Sequence, residues 1–255
     1  MKTIQNSLLL FIFCFSALGS SKNLKLVTFE FPPLEFAGKG GQPQGIAVEV
    51  VKLILEKKLS HKVEISIFPW TRALKDTKKG KFDAIFTAYK NAERVKFLDY
   101  SNEVVIPQVV KFYQKKNSKW NFSGDLMELQ KARIGVVSTI SYGEKFDQVK
   151  DKLQLFRNTK LEYNFKQLQK DRLDLVISNI FVGAYTLKKN AMQNNFETLN
   201  VLVQKVPSYI AFSKANKLTS LRDQFDAEFR KIVKSGEYFK IMNKYNITKE
   251  MLDMK

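Results

Sequence analysis

The chain has 255 residues, enough for one large domain or for two lobes that each bury a core. Hydrophobic residues make up 44% and charged residues 27%, ordinary globular usage that excludes disordered and fibrous classes. One Cys and one His exclude a disulfide framework and argue against a Cys/His zinc site, and Lys+Arg 43 against Asp+Glu 25 gives a net charge of +18.

Residues 1–6 form a short head carrying Lys2, residues 8–18 are an unbroken apolar run apart from Ser16, and Gly19-Ser20-Ser21 follow. This order predicts a secretory signal peptide over residues 1–20, cut near Gly19. The run is short for a bilayer span, although a retained anchor is the alternative. Phe13 before Cys14 argues against lipid attachment there. Cleavage leaves a mature chain without Cys, as suits an oxidising compartment, so a periplasmic or secreted location is expected.

The positive charge invites a nucleic-acid reading, which the composition opposes. Only Arg72, Arg94, Arg133, Arg157, Arg172, Arg222 and Arg230 carry guanidinium groups; the other cations are Lys scattered along the chain. Lys is the hydrated surface cation, whereas Arg dominates specific phosphate and base contacts. A solvated basic surface is expected, one that draws anions, touches a membrane surface only transiently and takes no nucleic acid.

Residues 24–29 alternate as a strand, broken at Phe31-Pro32-Pro33. Residues 38–44 form a glycine-rich loop or tight hairpin. Gly45 opens a helix with Ile46, Val50, Leu53 and Ile54 on one face. Val63, Ile65 and Ile67 alternate as a strand ended by Pro69, and a short helix around Ala73 and Leu74 stops at Gly80. Residues 82–86 form a strand, Asn91 caps a turn through Arg94, and residues 106–113 alternate as a longer strand.

The pattern then restarts. Strand 132–137 is followed by Ser141 and Glu144 in capping-box spacing. Strand 153–156, a short helix through Phe165 and Leu168, strand 173–177 and a helix through Leu187 come next. Strands 199–203 and 209–212 lead to an amphipathic helix carrying Leu221, Phe225, Phe229, Ile232 and Val233, ended at Gly236. A last helix covers residues 238–245.

Strands alternating with helices predict an α/β fold of parallel βαβ units, and the restart predicts two sheets. A polar linker at 114–118 and a return around Val206-Pro207-Ser208 make two crossings. The expected lobes are 21–113 with 207–255, and 114–206. Ligands of such folds bind outside the carboxyl ends of strands, which selects loops 30–35, 68–72, 87–94, 138–143 and 178–181.

A set of segments in order carries a resemblance: Phe31-Pro32-Pro33-Leu34-Glu35-Phe36 with Gly45-Ile46-Ala47-Val48-Glu49; Pro69-Trp70-Thr71-Arg72-Ala73-Leu74; Gly80-Lys81-Phe82-Asp83-Ala84; Glu93-Arg94-Val95-Lys96-Phe97; Ile134-Gly135-Val136-Val137; Arg172-Leu173-Asp174; Ile210-Ala211-Phe212-Ser213; and Lys234-Ser235-Gly236-Glu237-Tyr238. The chain resembles the type II extracytoplasmic solute-binding proteins of family 3, the polar amino-acid receptors of ABC importers. The resemblance implies a two-lobe, type II periplasmic-binding-protein-like fold. Each lobe is a mostly parallel sheet flanked by helices, two hinge strands join them, and the C-terminal helices complete the first lobe. It also implies a small polar ligand, an ABC permease transmembrane subunit as partner, and a monomeric receptor.

By that resemblance Arg94 forks the ligand carboxylate, a role its planar pair of donors suits; the alternative is an ion pair with Glu93 or Asp99. Phe31 matches the aromatic that covers the ligand, or is a core residue. Trp70 is a candidate cleft wall. Arg72 stands near a helix start, where the dipole disfavours a cation, which favours a ligand role. Thr87 can donate to a carboxylate, and Tyr89 shares its loop. From the second lobe, Ser141 as helix cap offers an anion site, with Thr139 and Tyr142 beside it.

Asn179 departs from the family, whose α-amino-acid binders hold an acid there, and Thr28 departs likewise. Asn cannot neutralise a buried ammonium. An amino-acid-like solute then needs Glu30 or Glu35 for its charge; otherwise two Arg without a matched acid suit a small organic anion or a neutral small molecule. The lone His61 precedes a strand, away from the cleft loops, and no nucleophile triad, metal cluster or catalytic acid pair stands out. A binding protein with no cofactor and no metal is expected. A sensor subunit and a dehydratase-like enzyme on the same fold are the alternatives.

Overall fold

The computed structural model describes residues 21–138 and 140–253. The expected signal segment, residues 1–20, lies outside them, as does Thr139.

Strand β1 (Asn23–Thr28) alternates its apolar side chains to two faces, Leu24 and Leu26 to one core and Val27 to another. It lies parallel between β4 (Lys62–Ile67) and β5 (Ala84–Tyr89). A hairpin of β2 (Phe36–Ala37) and β3 (Pro43–Gln44) closes the glycine-rich loop. The second half has the same grammar: β8 (Arg133–Val137) runs parallel to β9 (Gln154–Asn158) and to β10 (Leu175–Asn179).

Two sheets were expected from the restart; with β7 at Ile106–Lys115 and β12 at Gln204–Ser213, the described residues instead form one ten-stranded sheet, in the order β4-β1-β5-β12-β7-β10-β8-β9. The joint is β7 (Ile106–Lys115) against β12 (Gln204–Ser213), antiparallel from Ile106–Ser208 to Val110–Gln204. Beyond that joint the strands part. Residues 208–212 of β12 pair with β5, while residues 110–113 of β7 pair with β10. The short β6 (Leu98–Tyr100) borders β12, and β11 (Phe196–Thr198) borders β7.

Residues 114–118 are therefore not a free linker. The alternation of β7 runs on to Lys115, with β11 holding its end. The expected strand at 199–203 is not formed either. Leu199 N–H and Val203 N–H donate to the Phe112 and Val110 carbonyls, but Asn200 and Val201 between them bow out, exposed.

Helices cover both faces. α1 (Ile46–Lys52) continues as a wider turn, Leu53–Lys58, and packs with α6 (Thr219–Lys234), α7 (Glu237–Lys244) and α8 (Lys249–Asp253) over the first half of the sheet. Phe225, Phe229, Tyr238 and Met242 thereby share a core with Leu26 and Phe86, which makes the C-terminal helices part of the first half. α2 (Trp70–Lys78) covers its other face, over Ile85 and Ala211. In the second half, α3 (Glu144–Asp147) puts Phe146 against Phe112, and α4 (Leu161–Gln169) with α5 (Ile180–Lys189) buries Phe165 and Leu187 against Tyr113. Ile180 and Phe181, at the start of α5, pack into the first half's core and bring the halves together.

Candidate functional site

The carboxyl ends of β1 and β5 meet the start of α2 and the turn at Arg94–Lys96. The Arg94 N–H donates to Asn91 Oδ1 at 2.9 Å, so Asn91 nucleates that turn. The guanidinium is half-buried. Nη1 donates to the Tyr89 carbonyl at 2.9 Å, and Cζ stands 4.8 Å from the Trp70 ring centroid. Tyr100 donates its hydroxyl to the same carbonyl at 2.9 Å; burial pushes that phenol up to about 12, so it stays a donor at neutral pH. Trp70 meets Phe29 edge-on at 5.2 Å, and Phe29 stacks on Phe31 at 5.3 Å. Phe31, Phe29, Trp70 and Arg94 thus form a continuous aromatic wall ending in a cation.

The ion-pair alternative for Arg94 fails. Asp99 pairs with Arg222 at 2.6 Å, Glu93 is exposed, and no carboxylate among the described residues lies within ion-pair distance of Arg94.

A second, polar group lies behind the wall. Thr87, at φ 56°, holds a left-handed conformation that β-branched residues rarely adopt. Its hydroxyl stands 2.6 Å from Glu35 Oε1 and 2.6 Å from the Phe86 carbonyl. Glu35 is fully buried, and burial raises its carboxyl well above the ordinary range, opposed by the Thr87 contact and assisted by the charge of Glu30. Tyr89 donates to Gln108 Oε1 at 2.9 Å, and Asn179 Nδ2 donates to the same oxygen at 3.2 Å. Gln108 on β7 therefore ties the end of β5 in the first half to the end of β10 in the second.

Other expected site residues have different partners. Arg72 is exposed, sits 3.9 Å over the Phe68 ring and pairs with Asp76 at 3.6 Å one turn along α2. Those contacts explain a cation near a helix start without a ligand. Glu30 is exposed and accepts from the Ala37 N–H at 3.0 Å, pinning the β2 hairpin. The Ser141–Glu144 capping box does not form. α3 begins after Gly143, spans four residues and is too short to make an anion site, while the exposed Ser141 reaches Asp147 Oδ2 at 2.5 Å. Tyr142 is buried in the second core, and its hydroxyl accepts from the Val137 N–H at 2.7 Å. Asn179 is itself a helix cap: Oδ1 accepts from the Phe181 and Val182 N–H groups at 2.8 and 3.3 Å.

The sequence model described as bacterial extracellular solute-binding proteins, family 3, matches residues 25–248. The chain belongs to that family. This solute-binding protein is 21% identical over 248 residues to the arginine-binding periplasmic protein of Mannheimia haemolytica, covering 95% of this chain and 98% of that one. Among solved structures, the probable amino-acid ABC transporter extracellular-binding protein of Bacillus subtilis matches with a TM-score of 0.73 at 18% identity, over 89% of this chain and 98% of the other. An ancestral arginine-binding protein bound to arginine matches with a TM-score of 0.69 at 24% identity, over 88% and 98%. The binding protein thus has the mixed α/β, type II periplasmic-binding-protein fold. No helix among its described residues is long and apolar enough to cross a membrane.

Three contributors to the group escaped the sequence reading. Phe29 looked like the last residue of a strand, yet it is the middle of the aromatic wall. Gln108 left a usable signal, a polar residue inside the apolar run Ile106-Pro107-Gln108-Val109-Val110. Glu35 was read only as one of two substitute acids, and nothing local distinguishes its burial from the exposure of Glu30.

Proposed function

We propose that this solute-binding protein holds a small polar solute bearing a carboxylate in the cleft between its two halves and delivers it, as a monomer in the periplasm, to the transmembrane subunit of an ABC importer. The observation that carries this is Arg94. Its guanidinium rests on Trp70, is steered by the Tyr89 carbonyl and has no acid within ion-pair distance among the described residues, so its remaining donors suit an external carboxylate. Phe29 and Phe31 extend the wall along which the rest of the solute lies.

The two halves act as lobes that close on the solute. The paired segments 106–110 and 204–208 serve as the double hinge, which moves the first boundary from 113 to within β7 and keeps the second near 207. Residues 1–20 direct export. The solute leaves unchanged: His61 sits at the far edge of the sheet, accepting from the Lys22 N–H at 3.2 Å, and contributes nothing to the Arg94 group.

Native mass spectrometry of the mature protein, purified without denaturation, tests this. A co-purified small carboxylate, lost on Arg94→Gln, is the expected result. A bound species without a carboxylate, or a conversion product in place of the bound compound, contradicts it.

A further inference from the structure

Charge is unevenly spread over the two faces of the first half. On the face covered by α1, α6 and α7 the cations have acids. Lys58 pairs with Glu237 at 2.9 Å, Arg230 with Glu103 at 2.7 Å, Lys231 with Glu228 at 2.6 Å and Lys244 with Glu49 at 2.7 Å. The groove between α1 and α7 sets Glu49, Glu56 and Glu237 against Lys52, Lys57 and Lys240, an even balance.

The opposite face, covered by α2, has no such balance. A groove of about 490 Å³ along α2 is lined by Thr71, Arg72, Lys75, Asp76, Lys79 and Lys81. Asp76 is its one acid, and it already serves two cations, Arg72 at 3.6 Å and Lys81 at 3.2 Å. Lys75 and Lys79 are exposed and one turn apart, and neither has an ion pair among the described residues. Like charges at that spacing repel and weaken a helix. Lys78 widens the patch, its ammonium 5.2 Å from the Phe97 ring centroid. Past the end of α2, Gly80 abuts the turn Lys214–Asn216, which adds the exposed Lys214 and, just beyond it, Lys217. The Ser213 hydroxyl donates to the Thr77 carbonyl at 2.7 Å and fixes that turn against α2.

We propose that this basic face of α2 is a docking surface for a bilayer bearing anionic phospholipid headgroups, and that it holds the protein reversibly at the membrane. The lining selects the partner. None of the groove residues is apolar, whereas a stable interface between proteins has an apolar centre. Lys is a hydrated point charge on a flexible stem, suited to a headgroup layer whose phosphates keep no fixed register; a shaped anion site calls for the fork of Arg. Each Lys near an anionic surface adds to the attraction, and salt screens it. No helix among the described residues is long and apolar enough to cross a bilayer, so the contact is peripheral. The net charge of +18 draws the chain to the surface, and the α2 face sets its orientation. Because α2 begins at Trp70, in the aromatic wall, a chain docked this way keeps its cleft beside the membrane. The proposal uses no residue of the Arg94 group and stands apart from the solute reading.

The test is co-sedimentation of the purified protein with vesicles of phosphatidylcholine containing about 30% phosphatidylglycerol, and with phosphatidylcholine alone. The wild type is expected to bind the anionic vesicles and not the neutral ones, and to weaken at least threefold when NaCl rises from about 20 to about 150 mM. The triple variant Lys75→Gln, Lys78→Gln, Lys79→Gln is expected to weaken vesicle binding at least tenfold. The triple variant Lys231→Gln, Lys240→Gln, Lys244→Gln removes the same charge from the opposite face and is expected to bind within threefold of wild type. Wild type that ignores anionic vesicles, or binds neutral ones equally well, overturns the proposal. So does a smaller loss in the α2 variant, or an equal loss in both variants, which makes net charge alone responsible. Binding to poly-L-glutamate with none to the vesicles assigns the face to an acidic protein and overturns it as well. If the α2 triple variant does not fold, Lys79→Gln alone, compared with Lys240→Gln alone, decides by which of the two binds the anionic vesicles more weakly.

Discussion

Asp99 takes its ion pair from Arg222, which is distant in sequence, and not from its near neighbour Arg94: Arg222 Nη1 lies 2.6 Å from Asp99 Oδ1, and Thr219 Oγ1 donates to Oδ2 at 2.8 Å. The pair ties β6 to the first turns of α6, which belongs to the C-terminal segment of the first half. It also leaves the Arg94 guanidinium to a backbone carbonyl and an indole face. One carboxylate is used for structure so that one cation stays available for chemistry.

This division of labour separates two substitutions. Asp99→Asn removes a half-buried pair and is expected to cost about 1 kcal/mol of stability, read from chemical denaturation, while solute affinity stays within twofold. A large loss of affinity in a folded Asp99→Asn protein contradicts the assignment.

Gly45 supports the turn that presents Phe31 and Glu35. Its φ is +120°, and a Cβ there would fall 2.4 Å from the Leu34 carbonyl oxygen. The start of α1 packs on that turn: the Ile46 and Ala47 N–H groups donate to the Pro33 and Leu34 carbonyls at 3.1 and 2.8 Å, which satisfies donors a helix start leaves open. Gly45→Ala meets both a forbidden φ and a backbone clash, so a loss of about 3 kcal/mol is expected in denaturant unfolding, with weakened binding in whatever remains folded.

In the second half, Arg133 donates two bonds to Asp174, from Nη2 to Oδ1 at 2.8 Å and from Nε to Oδ2 at 3.0 Å, and its N–H adds a third at 2.8 Å. These hold the Asp174 carboxyl below its ordinary 3.8. A depressed carboxylate contributes stability that is present above the unfolded value and lost as pH falls through the folded one. Melting temperatures of wild type and Asp174→Asn are therefore expected to differ at neutral pH and to converge as the pH falls below the ordinary 3.8 and through the depressed folded-state value. A gap that persists undiminished at low pH contradicts the pairing.

Much of the local structure was legible from spacing. The alternation of β1, β4 and β7, the Asn91 turn and the stop at Gly236 follow from side-chain period and capping chemistry, which act over a few residues. What spacing does not carry is the partner of each group. Arg72 and Arg94 look alike in sequence, and only the packed structure gives one to Asp76 and Phe68 and leaves the other on Trp70. Ser141 has the spacing of a cap but does not serve as one, because α3 starts after Gly143, whereas Asn179, read only as a departure from the family, caps α5. That β7 and β12 pair with each other, fusing the two expected sheets, is a long-range choice that no local pattern shows.

The two Trp residues, Trp70 and Trp120, allow an optical test. Trp70 lies under Arg94, whereas Trp120 packs against the core of the second half. A solute reaching Arg94 changes the indole environment, so Trp120→Phe is expected to keep the ligand-induced fluorescence change and Trp70→Phe to lose it. The reverse pattern places the solute elsewhere.

The most direct measurement compares Arg94→Gln with Arg72→Gln by calorimetry against the solute identified from the purified protein. Losing a charge-assisted forked contact to a carboxylate costs about 1.5–3 kcal/mol, so Arg94→Gln is expected to weaken binding at least tenfold. Arg72→Gln, with its cation already on Asp76 and Phe68, is expected to bind as wild type does. Undiminished binding by Arg94→Gln, or a loss confined to Arg72→Gln, contradicts the account.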